Sequence, residues 1–196
     1  MAQTSEKTGK ILIDDAGTGD LVGNAFIGFL RKETGQIIFK TIPVEMFNEE
    51  NWNKRMPYKV VVDLVKEGLK ELKFQKDKDK ILICRGNIFD QVRTYFNEDG
   101  IQHKPAIIEG KLQDAVEGRF ISHLRNDLGI KSKSLTKKSG AKRYFVLFNW
   151  VSKDFYNREK YVKSGFKRWR TIWREKALEK YNKMKHPKHS PHKISN

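Results

Sequence analysis

Apolar residues along this chain switch between the spacing of a strand and that of a helix, and the switches divide it into elements. Ile11-Leu12-Ile13 is a continuous apolar triplet, the pattern of a strand buried on both faces at the centre of a layered sheet. It ends in Asp14-Asp15-Ala16-Gly17-Thr18-Gly19-Asp20, a polar turn with two glycines. Val22 to Leu30 is rich in β-formers, and Arg31-Lys32-Glu33-Thr34-Gly35 turns the chain into a third strand over Gln36 to Ile42. Three antiparallel strands in succession are therefore expected at the start of the domain.

After Pro57 the period lengthens. Val61, Leu64, Val65, Leu69 and Leu72 recur at helical spacing to about Phe74, with Lys66, Glu67, Lys70, Glu71 and Lys73 on the polar face. Beyond the charged linker 75–79, Ile81-Leu82-Ile83-Cys84 predicts a fourth strand, and Ile88 to Phe96 a helix capped by Asn87. Ala106-Ile107-Ile108 predicts a fifth strand, and from Lys111 the stripe Leu112, Val116, Phe120, Leu124 and Leu128 predicts a third helix. Residues 131–143 carry Lys, Ser and Gly without apolar periodicity and predict a loop. Tyr144 to Val151 fits a strand or the start of a buried helix, and one long cationic helix is expected from Arg158 to Lys185, with Val162, Phe166, Trp169 and Trp173 on one stripe. The expected division is a flexible N-terminus (1–9), a folded domain (10–130), a basic segment (131–185) and a disordered tail (186–196).

An opening meander followed by two right-handed β-α-β crossovers gives an α/β fold: a mixed five-stranded sheet of order 3-2-1-4-5, with flanking helices and a basic helical extension. In such a sheet the first strand is central, and ligands sit beyond the carboxyl ends of the strands where the order switches. Here that end carries Asp14 and Asp15.

Charge changes the picture further. The 196 residues carry a net +16, with 20 basic and 20 acidic residues up to Ile130 and 20 basic against 4 acidic from Lys131 onward. So concentrated a field attracts polyanions, of which nucleic acid (RNA, RNA–DNA hybrid or DNA) is the expected one and anionic membrane the competitor. Candidate phosphate contacts are Lys137, Lys138, Lys142, Arg143, Lys167, Arg168, Arg170 and Arg174, with Arg85 at the end of the fourth strand. The aromatics among these cations suit base stacking, or packing on the protein's own core. A single cysteine, Cys84, excludes an intramolecular disulfide and reads as apolar filler. The start of the chain has no apolar leader and no stretch approaches 18 apolar residues, so a cytoplasmic protein without membrane partners is expected. His186, His189 and His192 read as part of the tail.

The sheet order is that of the ribonuclease H-like superfamily. Ile13-Asp14-Asp15-Ala16-Gly17-Thr18-Gly19-Asp20-Leu21-Val22-Gly23 resembles the opening strand and loop of type 2 ribonuclease H, where Asp-Glu-Ala-Gly-Arg-Gly precedes an apolar strand. The resemblance, over about a dozen residues, implies that Asp14 and Asp15 are catalytic metal ligands and that the backbone of Gly17, Thr18 and Gly19 touches the nucleic-acid strand. It also implies that the last ligands come from the fifth strand and the helix after it, where Asp114 is the first choice and Glu109 the second. Converging carboxylates of this kind hold Mg2+ or Mn2+. The chain departs from the pattern twice: Thr18 stands in place of the arginine that goes with RNA–DNA junction recognition, and Cys84-Arg85-Gly86-Asn87 stands where the family has an acid. Asp90, one turn into the next helix, is a substitute for that acid.

The expected function is thus a divalent-metal-dependent nuclease. Its rival is a catalytically silent ribonuclease H-like adaptor that binds nucleic acid, favoured by the absent fourth-strand acid. A third reading makes the cationic C-terminal helix a protein- or membrane-docking element. On simpler grounds Asp14-Asp15 is a strand-ending turn, Asp114 a favourable charge in a helix's first turn, and Glu117 a solvated helix residue.

Overall fold

The computed structural model describes residues 9–136 and 140–186. Its sheet is ordered β3-β2-β1-β4-β5. Central strand β1 (Gly9–Ala16) has antiparallel β2 (Ala25–Arg31) on one side and parallel β4 (Asp79–Cys84) on the other. Outside these lie antiparallel β3 (Ile37–Ile42) and parallel β5 (His103–Ala106). The order and directions are those of the ribonuclease H-like fold expected above.

Strand β1 is longer than its apolar triplet at both ends. Gly9 belongs to it: a Cβ there would lie 1.9 Å from Asp79 Oδ1, so only glycine admits the buried Asp79 carboxylate. Arg31 grips that carboxylate with two hydrogen bonds, 3.0 and 2.7 Å, and donates to Leu72 O, which ties β2 to β4 across β1 and to the chain at Leu72. At its other end β1 runs on through Asp14, opposite Gly28, and Asp15, opposite Ile27. The two acids therefore lie within the strand rather than in a turn after it.

One face of the sheet, with Ile11, Ile13, Ile27, Phe29, Ile81 and Ile83, is covered by α2 (Met56–Glu71), which follows the short α1 (Glu49–Asn53), and by α3 (Asp90–Glu98). On the opposite face Leu12 and Leu30 meet Leu112 of α4 (Lys111–Ser122). Gly28 keeps β2 low enough for α4 to lie close, since a Cβ there would come within 3.0 Å of Leu112 and 3.1 Å of Val116. Nearer the carboxyl ends, Ala16, Phe26, Val116 and Phe120 share a core with α5 (Gly140–Lys153), α6 (Phe155–Arg158) and α7 (Arg174–Lys185).

Several sequence expectations give way to tertiary pairing. The fifth strand falls on His103–Ala106 rather than Ala106-Ile107-Ile108: an edge strand has no need of apolar side chains, and Pro105 is tolerated there. Ile107 is 70% exposed, while Ile108 packs with Leu12 and Leu112 below the sheet. Asn87 starts a 3-10 turn before α3 and makes no side-chain cap. Tyr144 to Val151 takes the helical alternative, within α5. The long cationic helix is interrupted: after α6 and a 3-10 turn, Val162 is extended and bridges Val22, and a π-helical turn, Trp169–Trp173, then leads into α7. Hydrogen bonds from Gly23 N to Tyr161 O and from Lys163 N to Leu21 O enforce that extended stretch against local helical preference. Trp169 is 1% exposed and belongs to the core. Residues 1–8, Lys137, Lys138 and residues 187–196 lie outside the described residues, including the expected flexible N-terminus and most of the expected tail.

The same stretch buries a lysine completely. Lys163 Nζ donates to Asp20 O at 3.0 Å and lies over the rings of Phe47 and Phe120. Burial pushes its pKa down to about 7; the Asp20 charge opposes the shift and the Arg143 charge adds to it. Between pH 7 and 10 the unfolded chain keeps this proton while the folded protein has released it, so this group makes folding stability rise with pH, on the order of 1 kcal/mol per unit. Urea melts of wild type and Lys163→Met at several pH values check this. The variant is expected to be favoured most at pH 7 and below and to lose that advantage by pH 10; a pH-independent difference would contradict it.

Candidate active site

Alternation along β1 sends Asp14 to the α4 side of the sheet, with Leu12 and Ala16. Parallel pairing sets Ile13 beside Ile83, so the next residues, Asp14 and Cys84, are neighbours at the carboxyl ends of β1 and β4. Asp14 is only 5% exposed and accepts a hydrogen bond from the Cys84 thiol. The end of the fourth strand thus presents a thiol to the acid pair, in place of the apolar filler read from the sequence. Asp14, Asp15 and Cys84 each bring one ligand atom within 4.8 Å of the others.

The loop after β1 shapes the other side. Thr18 Oγ1 donates to Asp15 Oδ2 at 2.5 Å, and Asp20 N closes a turn onto Gly17 O. Gly17 has φ of 82°, and Phe120 of α4 lies so near that a Cβ would come within 2.6 Å of its ring. Asp20 Oδ1 accepts from Arg143 Nε at 2.7 Å, while Arg143 Nη1 donates to Glu117 Oε2 at 3.0 Å. The α5 guanidinium therefore joins the β1 loop to α4. Asp15, the 16–20 loop, Glu117, Arg143 and Tyr144 enclose a hollow of about 370 Å³.

Electrostatics mark the pair as a costly arrangement. Burial raises the pKa of Asp14, with the Glu117 charge adding to the shift and hydrogen bonds from Cys84 and the Asp15 backbone opposing it. Burial, followed by the charges of Asp14 and Glu117, carries Asp15 to about 6 against the Thr18 hydrogen bond. The Cys84 thiol is pushed up to about 11, chiefly by burial and further by the Asp14 charge, so it stays protonated at neutral pH and acts as a donor. Carboxylates forced together away from water are relieved by a proton or by a cation.

The solved catalytic core domain of BIV integrase is similar to 73% of this chain, and 81% of that chain is covered, at 11% identity and a TM-score of 0.35. No family model matches the chain, and no curated protein matches it. The functional reading therefore rests on the chain's own geometry.

Of the expected site residues, Asp14, Asp15 and the Gly17-Thr18-Gly19 loop come together. Asp114 is exposed one turn before Glu117, and Glu109 is exposed in the loop before α4. The helix carboxylate whose charge reaches both strand acids is Glu117, which sequence reasoning treated as solvated. Its place beside Val116 on the apolar stripe was the available signal. Asp90 pairs with Arg93, which also donates to Cys84 O. Arg85, Lys142, Lys167 and Arg168 are exposed, whereas Arg170 and Arg174 pair with Glu49 and Glu159. Asp20 and Lys163 carried no sequence signal, since their partners are remote in the chain.

The two loop glycines differ in what they demand. Gly17→Ala places a Cβ against Phe120 at a left-handed φ and is expected to cost at least about 2 kcal/mol. Gly19→Ala, where a Cβ would meet nothing within 4 Å, is expected to stay within about 0.5 kcal/mol of wild type. Equal melting temperatures for the two variants would contradict this account of the loop.

Proposed function

We propose that the chain is a divalent-metal-dependent nuclease of the ribonuclease H-like superfamily, hydrolysing phosphodiester bonds in RNA, RNA–DNA hybrid or structured DNA. The observation that carries this reading is the burial of Asp14 beside Asp15, with Glu117 near enough to raise both pKa values, at the carboxyl ends of the central strands. Pure structure gains nothing from such repulsion, whereas a cation site requires it. The donors that converge are Asp14, Asp15 and the Cys84 thiol, and the two carboxylates offer Mg2+ or Mn2+ hard oxygens. A bound ion would supply an activated water and charge stabilisation for the leaving oxygen.

Around that position the residues divide the remaining work. Asp14 and Asp15 would hold the ion, with the Cys84 thiol beside them and Glu117, held by Arg143, lining the same hollow; exposed Asp114 lines the neighbouring cleft. The Gly17-Thr18-Gly19 backbone lies open toward the hollow and would receive the strand. Exposed Lys142, Lys167 and Arg168, with Arg85, would bind phosphates, a task that requires charge and not base-specific groups. No helix among the described residues is long and apolar enough to cross a membrane.

One observation favours the second reading, a silent adaptor: Cys84 gives the fourth strand no carboxylate. The readings part on Asp14→Asn. A nuclease is expected to lose Mg2+- or Mn2+-dependent cleavage at least about 100-fold while keeping its affinity for nucleic acid. Cleavage unchanged in Asp14→Asn would sink the site assignment. Absence of any wild-type cleavage of RNA, hybrid or branched DNA with either ion would leave the adaptor.

A further inference from the structure

Helix α4 has two working faces. Leu112, Val116 and Phe120 go into the sheet, while Asp114, Gly118, Ile121 and Arg125, spaced three and four residues apart, form a second stripe. Of that second stripe Asp114, Gly118 and Arg125 are exposed, while Ile121 is buried in the core shared with α5. It lines a cleft of about 660 Å³ whose other wall includes Leu135 and Arg143. Glu117 and Arg143 border both this cleft and the hollow beside Asp15, so the two are adjacent, with the ion pair of Arg143 and Glu117 between them.

Gly118 sits in the middle of that stripe. A Cβ there would meet nothing within 4 Å, and the residue is helical, so neither crowding nor a left-handed φ calls for glycine. A glycine inside a helix costs about 1 kcal/mol relative to alanine. What glycine does here is lower the floor of the cleft to the level of the backbone.

The cleft's chemistry is mixed in a particular way. Buried Ile121 and Leu135 form its apolar back, Gln113 and Asn126 carry side-chain amides that offer both donors and acceptors, Asp114 and the pair of Glu117 with Arg143 lie along it, and exposed Arg125 supplies positive charge. Its volume lies within the range of sites for small organic ligands. A flat, partly apolar group with hydrogen-bonding edges and a neighbouring phosphate meets all of these demands.

We propose that this cleft receives the nucleobase of the nucleotide adjoining the cleaved phosphodiester. The inference rests on the nuclease reading and narrows it: a base held along α4 has left its stack and its pair, so the substrate presents an unpaired or extruded nucleotide at the cut. Specificity then lies in the cleft, while the acid pair performs chemistry common to any phosphodiester.

Adenosine 5′-monophosphate is the probe, titrated in EDTA into the full chain and followed by amide chemical shifts. Perturbations at Gly118, Ile121 and Leu135 are expected, unchanged in Asp14→Asn, weaker in Gly118→Ala and at least 10-fold weaker in affinity in Gly118→Phe. Circular dichroism melts confirm that the Phe variant is folded; should it unfold, Arg125→Glu, at an exposed position of the cleft, takes its place. Ribose 5-phosphate, which lacks the base, is expected to leave these amides unmoved. Equal binding of the two compounds, or binding of adenosine monophosphate insensitive to Gly118→Phe, would overturn the base site and leave the nuclease reading standing. Base-dependent binding in a protein that cleaves nothing would support the base site and remove the nuclease.

Discussion

The architecture turns on a single costly constraint, the burial of Asp14 beside the half-buried Asp15 at the end of the strand that runs through the middle of the sheet. Moving a charge out of water is expensive, and neighbouring like charges add to the expense. The surrounding structure meets part of it with short-range donors: the Cys84 thiol to Asp14, the Thr18 hydroxyl to Asp15. Glu117 adds to the repulsion instead of relieving it. An arrangement left short of positive charge at its centre has the electrostatics of a cation site.

Holding that geometry falls to the C-terminal segment. Lys163 grips the Asp20 carbonyl, the Asp20 side chain grips Arg143, and Arg143 reaches Glu117. Residues 161–163 also pair with residues 21–23, and His123 accepts from Asn24 N while its other ring nitrogen meets Asp127. The loop after β1 is thus clamped between α4 and the basic segment. A chain region whose composition marks it as a polyanion grip is, in the fold, also a wall of the site. Arg143 illustrates the double duty, since its guanidinium is engaged by two carboxylates and still borders both cavities.

Much of this was legible in the sequence. The Ile11–Ile13 triplet, the meander and the two crossovers specify the strand order because strand period, turn chemistry and crossover handedness all act locally. Asp14 and Asp15 follow from where a central strand ends. Legibility failed where distant segments decide the outcome. Val162 is extended because Val22 lies opposite it, not because of its neighbours. The fifth strand shifted to His103–Ala106 because an edge position does not require the apolar residues used to find it. Glu117 displaced Asp114 as the helix carboxylate nearest the pair because the rotation of α4 is fixed by Gly28 and Gly17, which set how Val116 and Phe120 seat. Cys84 had been noted only as a missing acid, yet its thiol takes part in the site.

The central claim is that Asp14 and Asp15 form a divalent cation site. The most direct measurement is anomalous diffraction from crystals of the wild-type chain soaked in Mn2+. The account predicts an anomalous peak within coordination distance of the Asp14 and Asp15 carboxylates. A saturating soak that leaves this position without a peak, or that places manganese only at other surface acids, would contradict it.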